Sequence, residues 1–315
     1  MRTPPPDDRP ALYLVDGNAY VHRAYHALPP LSTATGLPIN AAYGFIRMLL
    51  KLVRRYRPEY LGVCFDSPTP TFRHERYAPY KATRAAADDD LRVQIPIAQE
   101  LVRCSGIPLI VRDGVEADDL IAFLTTDAVR QGLAVVIVSS DKDVLQLVSE
   151  QVVVFNEPRD AWMDVTAVRA KYGLEPSQLV DYFALTGDTS DNIPGVRGIG
   201  EKTARMLLQR FHTLDRLYEH LEHVTGNTRR LLEEQRDQAM LSRDLVALRR
   251  EIPGMACLDR DVFHRGRFRR KDLIACLMKY DMRGLVGELR SDEQHETPAS
   301  TAAAGAPIRG GGHAT

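Results

Sequence analysis

Apolar residues along this chain fall into two kinds of pattern, and the two alternate. Short, nearly continuous runs occur at Leu12–Val15, Leu61–Phe65, Ile107–Val111, Leu133–Val138 and Val152–Phe155. Strands covered on both faces read this way, because neither face needs polar positions. Between the runs lie stretches with helical spacing, as in Ala41–Tyr56 and Asp118–Arg130. Strand and helix in alternation predict an α/β unit over residues 11–185, a mostly parallel central sheet flanked by helices. From about residue 186 the strand-like runs stop. Lys202–Arg210, Asn227–Arg249 and Arg270–Lys279 keep a helical period, so residues 186–290 are expected to be all-helical. The Pro- and Asp-rich residues 1–10 and the small-residue stretch 291–315 carry no apolar period and are expected to be disordered.

One segment breaks the alternation. Residues 68–103, approximately, are too many for an ordinary connection, are rich in Arg and Lys, and include Tyr77, Pro79 and Tyr80. A long basic insertion after a strand suggests a lid or arch over a site.

Charge changes the picture only once its distribution is known. Lys and Arg number 41 against 42 Asp and Glu, a formal net charge of −1, and that figure alone argues against a nucleic-acid partner. Residues 1–200, however, hold 21 basic and 25 acidic side chains, whereas 201–290 hold 19 basic and 14 acidic. Arg supplies 34 of the basic residues, a bias that either phosphate recognition or codon usage produces. No apolar run nears the roughly 18–20 residues that cross a bilayer, and the start lacks the apolar centre of a secretory signal. Cys64, Cys104, Cys257 and Cys276 are widely spaced with no CxxC pair. They read as reduced thiols in a cytoplasmic protein, with neither a disulfide framework nor a zinc site.

The predicted strands run into acid. Leu12–Val15 ends at Asp16 and Leu61–Phe65 at Asp66; Leu133–Val138 leads through Ser139 and Ser140 to Asp141 and Asp143. Glu116, Asp118 and Asp119 follow the Ile107–Val111 run and open the next helix, where the helix dipole alone favours acids by roughly 0.3–1 kcal/mol each. Ligand sites of open α/β sheets lie outside the carboxyl ends of the strands. Crowded carboxylates repel by roughly 4 kcal/mol per close pair at an effective dielectric of about 20, so the cluster must hold protons or bind cations. Oxygen-only donors select hard dications, Mg²⁺ or Mn²⁺. Asp188 and Asp191 lie in a Gly-, Asn- and Pro-rich turn. They either cap that turn or join the cluster if the loop folds back.

The next residues, Gly195-Val196-Arg197-Gly198-Ile199-Gly200, open a helix that carries Lys202, Thr203 and Arg205 near its start. A glycine turn at a helix N-terminus presents N–H groups to an anion. The arrangement suits one phosphate strand of a duplex, which it would position without reading bases. The GxxxxGK(S/T) spacing of a Walker loop is absent, and no strand precedes the turn as a dinucleotide fingerprint requires.

These stretches carry a resemblance. LYLVDGNAYVHRAYHALPPL, FRHERYAPYKATR, DGVEADDLIA, SSDKDVLQLV and LTGDTSDNIPGVRGIGEKTA resemble the 5′-nuclease family. That family comprises the flap endonucleases of phages and eukaryotes and, most similar here, the 5′→3′ exonuclease domain of bacterial DNA polymerase I. The similarity continues through EEQRDQAMLSRDLVALRREIP and fades by about residue 290. No polymerase-sized segment follows, so the likeness is to a free-standing nuclease.

The resemblance implies a PIN-like fold with a helical arch and a helical duplex-binding region. It implies metal carboxylates at Asp16, Asp66, Glu116, Asp118, Asp119, Asp141, Asp143, Asp188 and Asp191. The first four lie near the ion that holds the attacking water. Asp141, Asp143 and Asp191 lie nearer a second ion, with Asp119 and Asp188 in support. Lys81 and Arg84 match arch cations that act on the scissile phosphate, and with Asp118 and Asp141 they form the expected catalytic set. Tyr80 matches an arch aromatic. DNA contacts are expected from His22, Arg23, Arg73, Tyr80, Lys81 and Arg84. Further contacts are expected at the turn from Gly195, Arg197, Gly198, Gly200, Lys202, Thr203 and Arg205. Carbonyls of Val196 and Ile199 are candidates for a K⁺ ion. Relatives often carry Tyr or Phe where this chain has His22, and imidazole stacks more weakly and titrates nearer neutrality.

The implied activity is Mg²⁺- or Mn²⁺-dependent 5′→3′ exonuclease and 5′-flap endonuclease cutting of DNA at single-strand/duplex junctions. Flaps, nicks, ends and RNA–DNA primers are the implied substrates. A separate polymerase is a possible partner, a monomer the expected state and the nucleoid the expected place. Two rival readings make different demands on the residues. A non-catalytic junction-binding protein predicts missing acids or a missing arch Lys, and neither is missing. A PIN-like ribonuclease is disfavoured by the long basic insertion and by the GVRGIGEKTA turn.

Overall fold

The computed structural model describes residues 9–84 and 88–296. Six strands form one sheet: β1 (Ala11–Asp16), β2 (Tyr60–Cys64), β3 (Leu109–Ile110), β4 (Ala134–Val138), β5 (Val152–Asn156) and β6 (Ala161–Met163). Their order is β3-β2-β1-β4-β5-β6. The first five are parallel and β6 is an antiparallel edge. The apolar runs therefore mark the strands, although at β3, paired on one side, only two residues of the predicted five keep strand geometry. The order reverses direction between β1 and β4, and the crevice outside the carboxyl ends at such a point is where ligands of these sheets bind.

Alternation along each strand divides the interior in two. Leu12 and Leu14 of β1 and Val135 and Ile137 of β4 face one core. Tyr13 and Val15, with Val136 and Val138, face the other. The second core is covered by α1 (Gly17–Ala27), α2 (Asn40–Tyr56) and α4 (Asp89–Ser105). The first is covered by α5 (Ala117–Arg130), α6 (Val165–Tyr172) and α7 (Leu179–Thr186), continuing into α8 (Glu201–Phe211), α9 (Leu214–Glu219), α10 (Gly226–Glu234) and α11 (Arg236–Val246).

Three expectations are corrected here. The segment 68–103 is not one arch. It opens with the short α3 (Phe72–Arg76) and a turn through Lys81, but its second half is α4, which buries Leu91, Ile97, Ala98, Leu101 and Val102 in the second core. The single helix expected over Asn227–Arg249 is two, α10 and α11, broken at Gln235.

The region 186–290 is also not one helical unit. After α12 (Arg260–Phe263), helices α13 (Arg270–Lys279) and α14 (Arg283–Glu296) return to the α/β unit and bury Leu273, Leu277, Leu285 and Leu289 beside α2 and α4. Helix α14 also runs to Glu296, past the start of the expected tail at 291. The expected disorder of residues 1–8 and 297–315 lies outside the described residues.

Candidate active site

The acids converge at the carboxyl end of the sheet. A cleft of about 250 Å³ is lined by Asp16, Asp66, Glu116, Asp118, Asp141, Asp143 and Asp191, with Lys81 and Arg84 along its side. Each acid is placed by the start of a helix or by a turn. Asp16 ends β1 and caps α1, accepting from the Ala19 N–H at 2.9 Å and the Ser139 hydroxyl at 2.8 Å. Asp66 follows β2 and caps α5 by accepting the Ala117 N–H at 2.7 Å. Asn18 holds it further, donating to Asp66 Oδ2 at 2.8 Å while its own Oδ1 accepts the Asp66 N–H at 3.0 Å. Asp141 Oδ1 accepts the Asp143 N–H at 2.9 Å, which closes the turn after β4.

The Gly187–Gly195 loop does fold back. Oxygens of Asp143, Asp188 and Asp191 come within 4.8 Å of one another. Lys142 Nζ and the Ser190 hydroxyl donate to Asp188 Oδ1 at 2.8 and 2.7 Å. The loop is also tied to the turn after α3. Asn192 Nδ2 donates to the Pro79 carbonyl at 2.7 Å, and the Lys81 N–H donates to the Asp191 carbonyl at 2.9 Å. Lys81 sits in the left-handed region at φ 55°, a cost of roughly 1–2 kcal/mol for a residue with a Cβ. That conformation places Lys81 Nζ 2.7 Å from Glu116 Oε1. Arg84 bonds the Asp191 carboxylate and, through Nε, the Ser190 carbonyl at 3.2 Å.

The electrostatics follow from burial and crowding. Burial raises the Asp16 carboxyl, bonds from Ala19 and Ser139 offset part of this, and Asp66 and Asp141 add repulsion; it is pushed up to about 7. Asp118 and Asp143 are driven well above the carboxylate range by burial first and then by Asp141. Asp118 Oδ1 is shut from solvent and accepts no hydrogen bond. A buried, unpartnered carboxylate oxygen among like charges is a donor lacking a cation. Asp188 is the opposite case: burial would raise it, but Lys142 and Ser190 together hold it below its usual value. His22 reaches the cleft wall, with its imidazole lowered chiefly by burial. Arg23 is exposed one position on.

Three expected roles change. Arg73 is 2% exposed and sits in the wall of the cleft rather than on an open surface. Its five N–H donors are all taken: Nε by the Leu245 carbonyl at 2.7 Å, NH1 by Glu116 and Asp119, and NH2 by Asp119 and the Ala247 carbonyl. Asp119 lies behind the cleft rather than on its lining, its carboxylate bonded by Arg73 and by the Arg249 N–H at 2.9 Å. Tyr80 is 4% exposed, and its hydroxyl lies 3.0 Å from Asp191 Oδ2 and 3.1 Å from Glu116 Oε2. Its ring is unavailable for stacking on a base.

The glycine turn adjoins the cleft through Ile193. Gly195 does not reach the surface: it is buried at φ 63°, and a Cβ there would lie 2.2 Å from the Gly187 nitrogen. Its N–H donates to Ser242 and its carbonyl accepts from Gln238, at 3.1 and 2.6 Å. Arg197, Gly198, Gly200 and Lys202 are exposed. Gly200 caps α8 without a side-chain bond, which leaves first-turn N–H groups facing outward. Thr203 is half-buried beside them, and Arg205 packs inward against Gly173 and Tyr182. The Val196 carbonyl accepts the Ile199 N–H at 2.9 Å. Gln235, at the α10–α11 break, grips the turn with both amide atoms: Oε1 accepts the Arg197 N–H at 2.8 Å and Nε2 donates to the Arg197 carbonyl at 3.1 Å. Asn18, Ser139, Gln235 and Gln238 went unrecognised in the sequence. The one local signal was the position of Asn18, two residues after Asp16.

Comparison with known proteins gives the chain a family. Residues 11–173 match the model of the 5′-3′ exonuclease N-terminal resolvase-like domain, and residues 174–266 that of its C-terminal SAM fold. The chain belongs to the 5′-3′ exonuclease family. A 5′-3′ exonuclease of Aquifex aeolicus is 46% identical over 211 residues, covering 67% of this chain and 73% of that protein. The DNA polymerase I of Treponema pallidum is 40% identical over 302 residues, 92% of this chain and 30% of its own length. The chain thus spans about three-tenths of that polymerase. In fold it is similar to a bacteriophage T5 flap endonuclease solved with DNA and metal ions, at a TM-score of 0.66 and 22% identity over 84% of this chain and 98% of that one.

Proposed function

We propose that this nuclease is a divalent-metal-dependent 5′→3′ exonuclease and structure-specific 5′-flap endonuclease. It would cut DNA phosphodiesters at single-strand/duplex junctions and remove flaps and RNA primers during replication and repair. The observation that carries the reading is the unpartnered Asp118 oxygen in a cleft lined by seven carboxylates. Such a donor set fits hard dications, Mg²⁺ or Mn²⁺. Asp16, Asp66, Glu116 and Asp118 would hold one, and Asp141, Asp143 and Asp191 a second, with Asp188 beside them. When bound, such a pair supplies an acidified water and neutralises the leaving oxygen.

The rest is the work of side chains. Lys81 and Arg84 lie over the acids from one side and are placed to offset charge developing on phosphate oxygens. Lys81 stays protonated there: burial opposes its charge, but Glu116 and Asp191 outweigh that. The Arg197–Lys202 turn would grip duplex phosphates, with the Val196 and Ile199 carbonyls as a K⁺ site. The half-buried His22 would face the terminal base. Among the described residues no helix is long and apolar enough to cross a membrane. We place the protein in the cytoplasm, at the nucleoid, as a monomer that can work beside a separate polymerase.

The test is a 5′-flap DNA substrate with Mg²⁺, with EDTA, and with Asp118→Ala or Lys81→Ala. Cutting is expected only with metal, with both variants strongly impaired in turnover. A wild-type protein that binds the flap yet never cuts it with Mg²⁺ or Mn²⁺ would overturn the reading.

A further inference from the structure

Two of the four cysteines that the sequence scatters are neighbours in space. Cys104 near the end of α4 and Cys276 on α13 meet across the α4–α13 packing, and Glu100 lies one turn before Cys104 on the same face of α4. The two sulfurs and a Glu100 oxygen all lie within 4.8 Å of one another, with Cys276 Sγ 3.8 Å from Glu100 Oε1. Tetrahedral coordination with metal–sulfur bonds of about 2.3 Å and metal–oxygen bonds of about 2.0 Å spaces its ligands by roughly 3.5–3.8 Å. The cluster lies beside Ser105 and Gly106, just before β3, at the amino end of the sheet and opposite the acidic cleft.

We propose that Glu100, Cys104 and Cys276 form a second metal site, selective for a thiophilic dication such as Zn²⁺, which staples α13 to α4. An i, i+4 pair on one helix and a third ligand from a neighbour is a chelating arrangement, and thiolates select soft ions that an all-oxygen cleft does not. The surroundings are those of a supported site. Glu100 is oriented by Lys279 Nζ and the Tyr280 hydroxyl, each at 2.6 Å, and these same bonds keep its carboxylate ionised. Two thiolates and a carboxylate carry three negative charges, which a dication and the Lys279 ammonium offset. Cys276 is buried, whereas Cys104 and Glu100 are half-buried and give an ion a way in. Without metal the Cys276 thiol is held protonated by burial and by Cys104. Binding therefore forms two sulfur–metal bonds and releases two protons to solvent.

The experiment uses the full chain and Cd²⁺, whose thiolate charge-transfer absorption does not report on carboxylate sites. One equivalent should produce that band, release two protons, raise the melting temperature and protect two thiols from alkylation. Cys104→Ser and Cys276→Ser should each abolish the two-thiolate band. Tyr280→Phe should weaken binding by about tenfold with the thiols intact, and Cys257→Ser should change nothing. Flap cutting with Mg²⁺ should survive Cys104→Ser, so failure here is separable from failure of the nuclease reading. Absence of the band in the folded wild type, its survival in Cys104→Ser, or mild peroxide closing Cys104 and Cys276 to a disulfide in protein that binds no Cd²⁺ would each overturn the proposal.

Discussion

Asp118 shows at a single residue how function and stability oppose one another. Its folded carboxyl titrates above its unfolded value, through burial and then repulsion from Asp141, Asp16 and other acids. A carboxyl raised in this way adds stability that is fully present below its unfolded pKa and lost as pH rises through the folded one. Asp16, pushed up to about 7, sets the window: metal-free protein should lose stability from the ordinary carboxylate range up to about pH 7. Asp118→Asn should therefore raise the melting temperature of EDTA-treated protein at pH 8 by roughly 2–4 °C, the size of a 1 kcal/mol effect. At pH 4 it should change little, because the native carboxyl is already neutral. The same substitution should remove Mg²⁺-dependent cutting, as expected of acids kept for chemistry rather than for folding. Equal melting shifts at both pH values would show that Asp118 is not strained by its charge.

At the scale of elements, Arg73 is the joint between the acidic cleft and the helices that carry the glycine turn. It accepts no role at the surface; it closes the carbonyl end of α11 at Leu245 and Ala247 and pins Glu116 and Asp119 at the start of α5. The other end of α11 shapes the turn through Gln238 and Ser242. Arg73→Leu would leave the Asp119 carboxylate buried without a cation and should cost about 3–5 kcal/mol, read from the denaturation midpoint. Arg73→Lys keeps the charge without the fork. It should fold, lower kcat by about tenfold or more and leave KM for flap DNA nearly unchanged. A rise in KM with kcat intact would return Arg73 to the DNA surface.

Joints of this kind explain what the sequence hid. Asp16, Asp66 and Asp141 were legible because each ends an apolar strand run, and a strand end has one address in a parallel sheet. The role of Arg73 was not legible, because its partners lie 43 to 174 positions away. Gln235 was not either: a good helix former inside a helical pattern gave no hint of the break that frees its amide for Arg197. Cys104 and Cys276, 172 positions apart in number, meet only because α13 returns to α4.

At the scale of the molecule, a formal charge of −1 and binding to DNA are compatible only if charge is sorted in space. The cleft gathers acids at the carboxyl end of the sheet, and cations bound there would reverse the local field. The adjoining helical layer presents Arg197 and Lys202 beside the glycine turn. Other cations are just as exposed but lie elsewhere: the Arg269 N–H bonds the Ser105 carbonyl, which places Arg267 and Arg269 at the amino end of the sheet. Two double variants with the same change in net charge therefore separate position from total. Binding of a flap substrate, measured over a range of salt in Ca²⁺ to prevent cutting, should weaken with a log–log slope of about −0.9 per neutralised phosphate. Arg197→Ala with Lys202→Ala should make that slope shallower by about two and weaken binding alike on unrelated sequences, since phosphate contacts carry no base information. Arg267→Ala with Arg269→Ala should leave the slope unchanged. Equal losses from both pairs would mean that DNA responds to total charge rather than to the turn. The grip assigned to the helical layer would then have to be abandoned, even though the cleft chemistry could stand.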